Sequence, residues 1–206
     1  MIAILDRQHF GKPGRRRDLG AGYDLDGDGL VGDHEREASL TPYYIEAARK
    51  HVEAAGHGVI VEDRGWYSKR HIRANIFAAE ARGPVAYVAC HINAGGGDYA
   101  AIIHDARSQN GKRLADLVAE SLNDLHLAGV SRVIVRGATP DNDWSRGLNT
   151  IKGIWSGPAN ICGICFEPLF IDCHAHRQWL NPVGLDSIGA ALGSGLIEWA
   201  LGDINA

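Results

Sequence analysis

The sequence predicts an α/β protein: one three-layer α/β/α domain around a central twisted sheet, mixed but mostly parallel. Two observations carry this. Short runs of strand-forming apolar residues alternate with longer segments whose apolar residues recur at helical spacing. The best defined run, Tyr87-Val88-Ala89-Cys90, has no polar alternation, as expected of a strand buried on both faces. It ends in His91-Ile92-Asn93-Ala94 and three glycines, Gly95-Gly96-Gly97. In open sheets of this kind ligands bind beyond the carboxyl ends of strands. An imidazole delivered there, with space cleared beside it, is a metal-ligand candidate; the alternative is a core histidine satisfied by a backbone carbonyl.

The elements follow in order. Ile2-Ala3-Ile4-Leu5 reads as the first strand and delivers Asp6 and His9 into a loop, Gly11-Lys12-Pro13-Gly14. From Arg15 to Asp33 the chain is rich in glycine and aspartate, with little periodicity. Leu40, Tyr44, Ala47, Ala48, Val52 and Ala55 then recur at helical spacing up to Gly56. Because Pro42 belongs in a first turn, the helix is expected to start near Ser39 as N-cap, with Glu37 just before it. Val59-Ile60-Val61 is a strand, and a helix runs from Arg70 to about Ala81. The strand before His91 follows, then Tyr99 to Ile103, then an amphipathic helix carrying Leu114, Leu117, Val118, Leu122 and Leu125. Arg132 to Val135 is a short strand. Residues 137–158, with Trp144 and Trp155, read as a long loop with at most one helical turn. Ile161 to Phe166 is a buried strand ending in Glu167-Pro168, and a glycine-containing helix from Val183 to Leu201 completes the chain.

With 206 residues and 45% hydrophobic content, the chain can bury the core of one domain. No repeat, linker or second domain is discernible, so residues 1–206 are read as a single, monomeric unit. A formal net charge of -4 argues against nucleic acid or an anionic membrane surface as the main partner. Lys12, Arg15, Arg16 and Arg17 form one basic cluster, read as a solvated loop. Of the four cysteines, Cys90, Cys162, Cys165 and Cys173, the middle two make a Cys-x-x-Cys, but no second pair completes a four-cysteine zinc site; lying in what reads as a buried strand, Cys162 and Cys165 are read as small buried thiols. The opening apolar run is too short for a signal peptide or a membrane span. The expectation is synthesis in the cytoplasm, with any exit by another route.

Four strand-end or helix-start positions carry His9, Glu37, His91 and Glu167. Two imidazoles and a carboxylate are a catalytic zinc set that leaves the fourth position to water. A second carboxylate outside the metal's own ligands can take the water's proton and pass it to a leaving nitrogen. Glu167, at the end of an apolar strand, is placed for a raised pKa that would suit this shuttle. The alternative for Glu167 is an ion pair with Arg70 or Arg73.

At these residues the chain resembles the zinc-dependent N-acetylmuramoyl-L-alanine amidases of the type called amidase 3. Ile4-Leu5-Asp6-Arg7-Gln8-His9 is similar to the segment bearing the first metal-binding histidine. Glu37-Ala38-Ser39-Leu40, with Gly56 closing the helix, is similar to the segment of the metal-binding glutamate. Arg70, Ala74-Asn75 and Cys90-His91-Ile92-Asn93-Ala94 resemble the Arg…Ala-Asn and Ser-Ile-His-Ala-Asn signatures. Phe166-Glu167-Pro168-Leu169-Phe170-Ile171 resembles the Glu-x-Gly-Phe motif of the catalytic glutamate. The chain departs in having Arg7-Gln8-His9 for Pro-Gly-His, and Leu169 for glycine, which bears on loop shape. The resemblance implies a phosphorylase/hydrolase-like fold, zinc on His9, Glu37 and His91, and Glu167 as catalytic residue. It implies cleavage of the amide between N-acetylmuramic acid and L-alanine of the peptidoglycan stem. With no signal peptide or wall-binding module evident, a phage-type endolysin is the expected setting.

A second metal motif is independent of these residues. Residues 24–35 match the EF-hand calcium loop: Asp24, Asp26 and Asp28 at positions one, three and five, Gly29 at six, the Leu30 carbonyl at seven, and Glu35 at twelve. No incoming helix precedes it, and an ordinary Asp/Gly turn is the alternative. Glu35 and Glu37, two apart, would face nearly opposite ways on a helical turn, one toward each metal. Two rival functions remain. His34-x-x-Glu37 with His91 would make a zinc carboxypeptidase, leaving His9 idle; the calcium loop alone would make a wall-binding module without turnover.

Overall fold

The computed structural model describes residues 1–9, 19–66, 69–139 and 148–203. The loop at 11–14, the basic cluster at 12–17 and Trp144 lie outside them. Six strands form one sheet in the order β2-β1-β3-β6-β4-β5: β1 Ile2–Arg7, β2 Gly58–Glu62, β3 Val85–Cys90, β4 Ala100–Asp105, β5 Val133–Ala138 and β6 Ile161–Glu167. Every pairing is parallel except β4 with β6, so the sheet is mixed and mostly parallel. The ends of β1, β3 and β6 therefore share one edge, and that edge holds the site.

Side-chain alternation along the strands makes two cores. Leu5, Val88, Cys90, Cys162, Ile164 and Phe166 face α1 (Glu37–Ala54), α3 (Gln109–Asn123) and α5 (Pro182–Asp203). Ile4, Tyr87, Ala89, Ile103 and Cys165 face α2 (Arg70–Glu80) and α4 (Asn149–Trp155). Cys162 and Cys165 thus lie on opposite faces of the sheet as buried free thiols, which removes the metal reading of that pair. Glycines let α5 approach its neighbours closely: a Cβ on Gly189 would sit 2.2 Å from the Tyr44 carbonyl oxygen, and one on Gly195 2.6 Å from Val118 Cα. Among the described residues no helix is long and apolar enough to cross a membrane.

Two expectations are corrected. The helix α1 starts at Glu37, not after a Ser39 cap. Its first free N–H groups are satisfied from outside: Glu37 donates to the Ala21 carbonyl at 2.9 Å and Ala38 to the Leu19 carbonyl at 3.0 Å. Ser39 Oγ instead donates to the Asp33 carbonyl at 2.7 Å. Pro42 is tolerated inside the helix because the carbonyl it leaves without a donor, that of Ala38, accepts from Arg7 Nη2 at 2.8 Å. The second correction concerns 137–158. β5 continues to Ala138, with Gly137 beside His104, and α4 makes two turns where at most one was expected.

Candidate metal and catalytic site

Each side chain of the site is held by its own element. β1 ends in a turn where His9 has φ +56°, a left-handed conformation uncommon outside glycine but enriched for histidine. β3 delivers His91, whose N–H donates to the Phe166 carbonyl at 3.0 Å and whose carbonyl accepts from the Tyr44 hydroxyl at 3.0 Å. Glu37, 3% exposed, lies between the two imidazoles. Its Oε1 is 2.8 Å from His91 Nδ1 and its Oε2 is 3.5 Å from His9 Nε2. The imidazoles meet edge-on, with centroids 5.2 Å apart. The Ile92 N–H donates to Oε1 at 3.1 Å and the Ala21 N–H to Oε2 at 3.3 Å.

Gly20 makes this arrangement possible. Its φ is +73°, and a Cβ there would fall 2.4 Å from Glu37 Oε2. The strap 19–21 therefore caps the helix and closes over the carboxylate.

The three ligand atoms lie within 4.8 Å of one another. A tetrahedral zinc with bonds of ~2.0–2.1 Å separates its ligands by about 3.3 Å, so spacings of 2.8 and 3.5 Å suit one ion. Burial pushes the Glu37 carboxyl up, but the hydrogen bond and charge of His91, with the charge of His9, outweigh it and hold the group below its ordinary value. Burial lowers His91, yet the hydrogen bond and charge of Glu37 leave it raised.

Glu167 closes β6, opposite Ala101 of the antiparallel β4. Its Oε2 accepts from Asn93 Nδ2 at 2.6 Å, and the Cys165 thiol is 3.8 Å from Oε1. Neither arginine weighed as a partner reaches it. Arg70 Nη1 pairs with Asp6 Oδ1 at 2.7 Å, and Arg73 Nε with Glu62 Oε2 at 3.0 Å. Burial raises the Glu167 carboxyl; His91 pulls it back, Glu37 pushes it further, and the net direction is up.

Two further carboxylates, Asp6 and Asp172, support the site. Asp6, fully buried, accepts from Arg70, from the Tyr87 hydroxyl and from the Gln8 amide, directly under the His9 turn. Asp172 Oδ2 accepts from the Gly95 and Gly96 N–H groups at 2.8 and 3.0 Å and so holds the glycine turn after Asn93. Trp155 is not at the site. It stacks on Arg107 at 3.6 Å, beyond the carboxyl end of β4 and hence at the opposite edge of the sheet. His104 is buried in β4, with Nδ1 donating to the Asp105 carbonyl at 2.8 Å.

The 24–35 loop forms two further clusters that share Asp26: Asp24, Asp26 and Asp28, and Asp26, His34 and Glu35. Asp24 accepts from the N–H groups of Gly27 at 2.7 Å and Gly29 at 3.0 Å, Asp26 from Asp28 at 3.1 Å, and Asp28 from Leu30 at 2.8 Å. Leu30 turns its side chain to solvent. Glu35, 1% exposed, points back into the loop and accepts from the Asp26 and Gly32 N–H groups at 3.0 and 2.8 Å. Glu35 and Glu37 thus face different clusters. His34 lies 3.6 Å from Asp26 and belongs to the loop rather than to the cluster of Glu37 and His91, which the peptidase motif would require.

Taken together, the mixed six-stranded sheet with helices on both sides is the fold of cell-wall amidase catalytic domains. No family model matches the sequence, and no curated protein does. Solved structures do. The CwlD amidase of Clostridioides difficile, determined in complex with the GerS lipoprotein, matches with TM-score 0.67 at 16% identity, over 96% of this chain and 97% of its own. The N-acetylmuramyl-L-alanine amidase Ami1 of Mycobacterium smegmatis matches with TM-score 0.68 at 13% identity, over 98% and 97%. The catalytic domain of the CD27L endolysin, which targets Clostridia difficile, matches with TM-score 0.58 at 13% identity, over 96% of each chain.

Proposed function

We propose that this chain is a zinc-dependent N-acetylmuramoyl-L-alanine amidase that cleaves the bond between N-acetylmuramic acid and L-alanine of the stem peptide. One observation carries the reading: His9, Glu37 and His91, far apart in sequence, converge on one point beside the partly buried carboxylate of Glu167. His9, Glu37 and His91 would hold the ion. Bound zinc would supply Lewis acidity toward the scissile carbonyl and acidify the attacking water. Glu167, raised by burial, accepts the water's proton and returns it to the departing L-alanine nitrogen. The ordering of the His9 turn, the Glu37 strap and the His91 strand end before substrate arrives keeps the ligands preorganised.

The test is metal analysis of the wild type and of His91→Ala, beside a digest of purified muropeptides. Stoichiometric zinc in the wild type alone, new L-alanine amino ends and no new reducing sugar ends are expected. Reducing ends would make it a glycosidase. Zinc lost on removing His34 but kept on removing His9 would make it the peptidase.

The expected setting is that of a phage lysin: a monomer made in the cytoplasm and acting on the wall after release. The likeness to an endolysin catalytic domain supports it, and lysis of wall-exposed cells by the added monomer tests it. We also read residues 24–35 as a calcium loop, on the EF-hand spacing of Asp24, Asp26, Asp28, the Leu30 carbonyl and Glu35. Calcium there would fix the entry of α1 and so the placement of Glu37. Zinc-loaded protein assayed across buffered calcium should gain activity; indifference, with no calcium bound by mass spectrometry, ends that reading.

A further inference from the structure

Asn93 stands two residues beyond His91 and its carboxamide touches Glu167. Resting on the amidase reading above, we propose that Asn93 is the positioning residue for Glu167: it holds Oε2 and leaves Oε1 as the oxygen that handles the proton.

The orientation of the carboxamide follows from its other end. The Ala94 N–H donates to Asn93 Oδ1 at 2.8 Å, so the acceptor of the amide is turned to its own backbone. The end facing Glu167 is then the NH2, a donor, at 2.6 Å from Oε2. Its mounting is rigid. The Asn93 N–H donates to the Leu169 carbonyl at 2.8 Å, and its carbonyl accepts from the Ile171 N–H at 2.8 Å, as a parallel bridge opposite Phe170. Asn93 is thus fastened to the same strap that continues from Glu167, and donor and carboxylate keep one register.

Glu167 needs such a hold. A glutamate has three side-chain torsions, the last of them broad, and its carboxylate is attracted by His91 and repelled by Glu37 at once. On the other oxygen the Cys165 thiol, 3.8 Å from Oε1, is a weak donor. With Oε2 engaged by an amide NH2, which donates a hydrogen bond and cannot take up a proton, transfer runs through Oε1.

Three measurements decide it. Asn93→Ala removes the donor, and Asn93→Asp keeps the shape while replacing donor by acceptor. If Asn93 acts as donor, both lower kcat by roughly 10- to 100-fold, with KM and zinc content unchanged and Asn93→Asp at least as damaged. If it merely fills space, Asn93→Asp keeps wild-type kcat, and the proposal falls. It falls equally if the variants raise KM or lose zinc at unchanged kcat. The third readout needs no turnover: in the nitrogen-proton spectrum one Asn93 side-chain proton should lie downfield and return to the ordinary position in Glu167→Ala. An unmoved signal overturns the contact. A zinc-loaded wild type that releases no stem peptide would overturn the amidase reading instead, and that signal would then decide alone whether Asn93 holds Glu167.

Discussion

Arg70→Met should cost the fold more than any other single change near the site that leaves the ligands intact. Arg70 and Asp6 are both 0% exposed, paired at 2.7 Å between Nη1 and Oδ1. The guanidinium also donates to the carbonyls of Arg7, Glu62, Asp63 and Gly65, where β1 and β2 end. Removing one partner of a buried pair costs about 3–5 kcal/mol, because the other charge is left desolvated. For a chain of this size about 2–4 °C of Tm accompanies each kcal/mol, so a fall of roughly 6–20 °C is expected. Thermal and urea unfolding of the zinc-free protein, monitored by circular dichroism, measures it. The cycle with Asp6→Asn supplies the control: the double variant should be markedly less destabilised than the two single costs summed. A Tm within about 2 °C of wild type, or additive costs, would refute the claim that this pair anchors the His9 turn.

Other outcomes follow from the same geometry. Gly20→Ala places a Cβ 2.4 Å from Glu37 Oε2 at a φ of +73°, so zinc affinity should drop while far-ultraviolet circular dichroism is preserved; titration against a competing chelator reads it. Zinc must displace the proton that Glu37 favours on His91, so apparent affinity should fall as pH drops through the raised His91 value. In the metal-free protein, stability from His91 is present below its unfolded value and lost as pH rises through the folded one. Stability from Glu37 is present above its unfolded value and lost as pH falls through the folded one. The pair therefore contributes most between about pH 4.5 and 6.5, the two ordinary values, and Glu37→Gln should flatten the Tm profile there.

The strands and long helices were legible because burial writes itself into composition: β3 reads Val-Ala-Tyr-Val-Ala-Cys, with all six residues buried. His91 and Glu167 stood out for a related reason, since each ends an apolar run, whereas His9 follows three polar residues and Glu37 sits in a polar stretch before α1. What the sequence hid is what acts across space. Nothing local announces that Leu19 and Ala21 cap α1 in place of Ser39, or that Arg7 takes the carbonyl Pro42 leaves without a donor. Asn93 falls in a recognisable motif and Asp172 in none, but only the bridge to the 167–172 strap shows what their side chains hold.

On the proposed reading, Glu37 and Glu167 give one residue type two duties within one site. Burial raises both carboxyls, yet they shift in opposite directions. Glu37 has two imidazoles and two backbone N–H groups on its oxygens, so its charge is held. At Glu167 burial, joined by the charge of Glu37, outweighs the pull of His91, the Cys165 thiol and Arg136, so its proton is retained to higher pH. A ligand must stay ionised; a shuttle must exchange. The consequence is measurable in both directions. If Glu167 is the base, kcat/KM should fall as pH drops through a value above the ordinary glutamate range, and that limb should vanish with activity in Glu167→Gln. A raised carboxyl stabilises the fold below its unfolded value and loses that contribution as pH rises through the folded one. At neutral pH, therefore, Glu167→Gln should raise Tm while destroying turnover. A variant that lost activity and stability together would show that Glu167 holds the structure, and the proton-transfer role would go to another group.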